Sequence, residues 1–158
     1  MTDSIRAAIA RLLDWEDAHA SFDKVVSGLP PKLQGQVPPK LPYSPWQLLE
    51  HLRITQHDIL DFCVNPAYEE LDWPADYWPK TPAPPSPDAW DQSVAAFRKD
   101  REALQQLALN PKIDLMGRVP AGKDHTYLRE LLLVADHTAY HLGEMVVARR
   151  ALGAWPTA

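Results

Sequence analysis

The sixteen prolines of this chain stand outside, or at the first turn of, each run in which apolar residues recur with helical period, and this arrangement constrains the fold most. A proline ring removes a backbone donor, fixes φ and restricts the preceding residue, so a helix bends or breaks at one. Four helical blocks lie between the prolines. The first spans roughly residues 3 to 27, with Ile5, Ile9, Leu12, Leu13, Phe22 and Val26 at spacings near 3.6. The stretch GLPPKLQGQVPPKLP after it is read as free of regular structure. Ser44-Pro45 opens the second block, a favoured N-cap followed by a favoured first helical residue, and Asn65-Pro66 closes it after about Val64.

Ser86-Pro87 repeats the device ahead of DAWDQSVAAFRKDREALQQLAL, where Trp90, Val94, Phe97, Leu104 and Leu107 share a side, and Asn110-Pro111 ends that block. Thr126 caps the last block, which runs to about Leu152 and stops at Gly153, suited to a left-handed C-cap. No β alternation with hairpin turns and no internal repeat occurs. The expected architecture is an all-α four-helix bundle, one domain over residues 1–158.

Charge narrows the function. Sixteen Lys and Arg against twenty-one Asp and Glu give a net charge of −5, and no Lys/Arg block gathers to meet a phosphate backbone, so no nucleic-acid partner is expected. The longest basic run, Arg149-Arg150, suits the negative end of the last helix. Cys63 is alone and has no internal disulfide partner, which fits a reducing, cytoplasmic setting. The acidic N-terminal segment has neither the apolar core of a signal peptide nor the length of a membrane span, so no membrane partner is expected.

Inside the last block, DHTAYHLGE sets His137 and His141 four positions apart on the face that continues through Val134, Met145 and Ala148. Side chains at that spacing stand about 5–6 Å apart at Cβ, so both rings can reach one ion. Two hydrogen-bonded core histidines would satisfy the same pattern. His51, flanked at helical spacing by Leu48 and Ile54 in the second block, points inward as well. Three histidines from two helices form an open three-ligand metal site; otherwise each buried imidazole needs a hydrogen-bond partner.

Other candidates fit less well. His57 lies about 240° around the helix from His51, and Cys63 about 18 Å along it. His19 and His125 have no ligand-spaced partner. Glu144, three positions after His141, is placed to orient a ligand, act as general base, or pair with Arg or Lys at the bundle rim. Asp58, seven after His51, is a weaker candidate of the same kind, and Asp136 points about 100° away from His137. In the Pro-rich connection from Asn65 to Pro85, Tyr68, Trp73, Tyr77 and Trp78 suit either a lid with an apolar substrate wall or a packed strap, the strap being favoured.

Taken together, SPWQLLEHL at 44–52, NPAYEELDWPADYWPK at 65–80 and LLLVADHTAYHLGE at 131–144 resemble, in order, the DinB-like (YfiT-like) metalloenzyme superfamily of four-helix bundles. The likeness covers most of the chain from Pro38 onward. It implies a divalent ion, nickel or zinc, held by the residues matching the family's ligands, His51, His137 and His141. It also implies a homodimer and a thiol-dependent transferase, isomerase or hydrolase that acts on a small molecule, with a low-molecular-weight thiol as a candidate cofactor. The family name refers to damage-inducible expression and not to DNA binding, which agrees with the acidic charge. A non-catalytic metal- or ligand-binding stress-response protein is the alternative; a fourth protein ligand would favour it, and an open coordination position the enzyme.

Overall fold

A computed structural model of the chain describes residues 3–156. Among these the protein is all-helical, with α1 (Asp3–Leu12), α2 (Phe22–Val26), α3 (Pro31–Gln34), α4 (Pro45–Val64), α5 (Ala89–Leu109) and α6 (Tyr127–Ala151). An isolated bridge between Arg118 and Thr126 is the one β-type pairing described. The all-α expectation holds, with six described helices in place of four blocks because α2 and α3 are short pieces of 5 and 4 residues. Among the described residues no helix is long and apolar enough to cross a membrane.

The three long helices begin and end close to where the sequence places them. At the start of α4, Ser44 Oγ accepts from the Gln47 amide at 3.1 Å and Gln47 Oε1 accepts from the Ser44 amide at 3.0 Å, with Pro45 in the first turn. This reciprocal box satisfies two donors that the helix cannot. Thr126 caps α6 through the Arg129 amide. At the other end Gly153 takes φ +68°, and the amides of Gly153 and Ala154 donate to the carbonyls of Arg150 and Arg149, a Schellman closure. Ser86 is not the cap of α5. Its hydroxyl donates to Asp88, and the residues up to Asp88 form a turn before the helix starts at Ala89.

The first block breaks. Leu12 ends α1, and Ser21 caps the separate α2 by accepting from the Lys24 amide. Between them, Asp14 accepts from Arg101 of α5, and the polar run to Ser21 carries no apolar stripe to bury. Ile5, counted on the inner face, is 47% exposed. Within the proline-rich stretch that follows, Pro31 opens the short α3, since a missing amide costs nothing in a first turn.

Buried arginines tie the pieces together. Arg6 of α1 donates to the carbonyls of Ala108, Asn110 and Ile113, placing a cation on the negative end of α5. Arg149, expected to complement its own helix end, also reaches away from it, donating to Val25, Ser27 and Ala154 carbonyls. α4 lies between α5 and α6, and α1 packs mainly on α5.

Two apolar clusters fill the bundle. One gathers Trp46, Leu48, Leu49, Leu52, Phe97, Leu142 and Met145; the other gathers Ile9, Cys63, Leu104, Leu115, Leu131 and Val134. They part at the middle of α4 and α6. Thr55 and Gln56 are buried between Leu52 and the second cluster, and His137 stands between Val134 and Leu142.

Candidate metal centre

His51 and His141 are buried and His137 half-buried in this gap, and the three rings meet across the α4–α6 seam. His137 Nε2 stands 3.1 Å from His51 Nε2, and the ring centroids are 4.9, 4.6 and 4.4 Å apart for the 51–137, 51–141 and 137–141 pairs. One nitrogen from each lies within 4.8 Å of the others. Among the described residues no fourth His, Cys, Asp or Glu joins this group.

The outer ring nitrogens determine which lone pairs face inward. His51 Nδ1 lies 2.7 Å from the Tyr77 carbonyl, which can only accept, so Nδ1 carries the proton and Nε2 the lone pair. Thr55 Oγ1 gives its proton to the His51 carbonyl at 2.7 Å, which leaves its oxygen to accept from His137 Nδ1 at 3.4 Å. His141 Nδ1 donates to Glu144 Oε2 at 2.6 Å. All three imidazoles are therefore held in the tautomer that leaves Nε2 basic, the arrangement outer partners impose on metal-binding histidines.

Two such nitrogens 3.1 Å apart have no proton to share and repel unless a cation sits with them. Tetrahedral ligands at Zn–N distances near 2.05 Å lie about 3.3 Å from one another. The three-imidazole donor set and its spacing fit a divalent metal ion. Burial holds the imidazoles neutral: His137 is lowered to about 4 by burial and by His141 and His51, and His141 to about 4 by burial and by His51. His51 moves down by burial, against the opposing pull of the Tyr77 carbonyl and Glu144. Desolvation raises Glu144.

The 65–85 connection crosses this seam as a strap. Asp58 accepts from both tyrosine hydroxyls, Tyr68 and Tyr77, each at 2.8 Å, and so fixes the segment whose Tyr77 carbonyl orients His51. Burial and this carboxylate push Tyr77 up to about 12 and Tyr68 up as well. Trp78 lies flat on His51, centroids 3.9 Å apart, and Tyr43 stacks on the other side of Trp78 at 4.0 Å. Beyond it, Ser44 Oγ donates to the Pro82 carbonyl, and Gly35 admits Ala83 where any Cβ would collide. Trp73, grouped with these aromatics on sequence, is 67% exposed, its ring tilted against Tyr77 with centroids 5.2 Å apart.

The remaining candidates lie elsewhere. His57 is exposed and pairs with Asp100; His19 meets the Ala20 carbonyl; His125 pairs with Glu130. Cys63 is buried in the second apolar cluster, its thiol pushed up to about 12 by desolvation. Asp136 is exposed. Asp58 acts on the strap and does not touch a histidine ring. Thr55 was missed, although it stands one helical turn after His51 and the spacing that singled out the histidines would have found it. The Tyr77 carbonyl left no trace in the sequence, because every residue has one.

The chain is an all-helical protein in which one histidine of α4 and an HxxxH pair of α6 meet at a common point that could hold a metal ion. The chain belongs to the DinB superfamily, whose family model matches residues 14–145. No curated protein and no solved structure matches the chain.

Proposed function

We propose that this protein is a divalent-metal-dependent enzyme acting on a small molecule, with zinc or nickel held by His51, His137 and His141. The observation that carries this reading is the convergence of three Nε2 lone pairs, each outer nitrogen engaged, with no fourth protein ligand among the described residues. A bound ion would supply Lewis acidity, making water or a low-molecular-weight thiol nucleophilic near neutral pH. Thiol-dependent transfer or hydrolysis is the reaction class that follows. The chain itself orients the ligands through Thr55, Glu144 and the Tyr77 carbonyl, and covers them with Trp78.

The reading includes a second copy of the chain as partner and no nucleic acid, in keeping with the net charge of −5. The test is metal analysis of purified protein. One equivalent of zinc or nickel is expected, falling severalfold in His137→Ala and in His141→Ala; unchanged stoichiometry in both variants overturns the reading. The flat stacking of Trp78 on His51 favours a second reading, in which the ion is sealed in for stability or sensing. With cobalt in place of the native ion, a visible-band shift on adding a small thiol would support the enzyme, and an unmoved band the sealed site.

A further inference from the structure

One helical turn from the histidines, on the side of Glu144, the α4–α6 groove widens into a cavity of about 360 Å³ whose lining includes Leu41, Tyr43, Leu48, Gly143, Glu144 and Val147. We propose that this slot seats the apolar, positively charged end of the small molecule that the metal centre acts on. The proposal rests on the function proposed above and adds the substrate class.

Three observations carry it. First, two residues of the slot's wall reach the histidine cluster or the ring that covers it. Glu144, in its wall, holds His141 through Oε2, and Tyr43, also in its wall, stacks on the Trp78 that lies on His51. A ligand here therefore lies against residues that touch the histidines. Second, the side chains of the lining residues are hydrocarbon apart from those of Glu144 and Tyr43. Among the described residues no donor reaches Glu144 Oε1. A carboxylate among apolar side chains selects a ligand with an apolar body and a cationic head, and the Tyr43 face adds attraction for that cation.

Third, Gly143 stands inside the 25-residue α6, and a Cβ there would meet nothing within 4 Å. A helix-interior glycine costs about 1 kcal/mol against alanine. Neither packing nor a positive φ within this chain calls for that cost. Gly143 lines the slot, and the space that a side chain would take there is open.

The probes are benzyltrimethylammonium and benzenesulfonate, which share a phenyl ring, carry opposite charge and are poor metal ligands. They are titrated into the protein as purified and followed by amide shifts. Saturable shifts at Leu41, Gly143 and Val147 are expected with the cation, about fivefold tighter than with the sulfonate, as one partly exposed charge pair allows. Glu144→Gln should bring the two within about twofold of each other. Gly143→Leu should abolish the slot shifts without lowering the unfolding temperature, because leucine is the better helix former and meets open space. Equal affinity for the two probes, or shifts that persist in Gly143→Leu, overturn the proposal. Metal content is measured on the same samples: loss of the ion with retained slot shifts counts against the metal reading alone, and a normal ion content without slot shifts counts against the slot alone.

Discussion

Thr55 shows what a single hydroxyl does for a metal-type site. It gives its proton to the carbonyl of His51 and receives one from His137, so α4 and α6 share one side chain. Replacing it with valine keeps the shape and removes the acceptor. His137 is then free to flip or change tautomer, and Thr55→Val should weaken metal binding at least about tenfold, the usual range for a lost outer partner. Competition against a chelator measures this, and an unchanged affinity would show that packing alone orients the ring. His137, His141 and Glu144 were visible in the sequence because spacing on one helix is a matter of 3.6-residue periodicity, and His51 because Leu48 and Ile54 flank it at that period. Asp58 has that spacing too, yet it serves the strap, since its helix face looks out on two tyrosines at this level.

Among elements, the short α1 is held by the buried Arg6 as well as by Ile9 and Ala10 in the second apolar cluster. Arg6 is buried and donates to three carbonyls at the end of α5 and just beyond it. Arg6→Met would leave the carbonyls that α5 cannot satisfy without donors, at a cost of about 2 kcal/mol. Urea denaturation checks this; a shift of the midpoint with unchanged slope is the expected form, and a midpoint within error of the parent would contradict it. The capped starts of α4 and α6 were legible because a cap is a local bargain between neighbours in sequence. The break after Leu12 was not. Helical spacing resumes by chance at Phe22, whose ring stacks on Phe97 at 4.0 Å, and only the position of α5 decides that the chain must turn to bring them together.

At the scale of the whole molecule, the neutral histidine layer between two apolar clusters makes stability depend on pH. In the metal-free protein His137 and His141 bind protons only near pH 4, while in the unfolded chain they do so from 6.5. Between these values the unfolded state holds more protons, so stability falls as pH drops from about 6.5 to about 4, and this contribution is fully present above 6.5. Thermal unfolding of metal-free protein across that window should show the fall, and the His137→Ala/His141→Ala double variant a flatter profile. Equal slopes in the two proteins would place the pH dependence elsewhere.

The sequence by itself determined that this chain is helical, where its long helices start and stop, and which three imidazoles share an inward side. Those properties depend on residues within a few positions of one another, through capping, proline geometry and a 3.6-residue period. Only the tertiary structure decided that His51 meets the α6 pair, that Thr55 and the Tyr77 carbonyl turn each Nε2 to the same point, and that the strap covers them. These depend on the angle and register at which separate helices pack. Many distant side chains set that register together, and no local pattern records it.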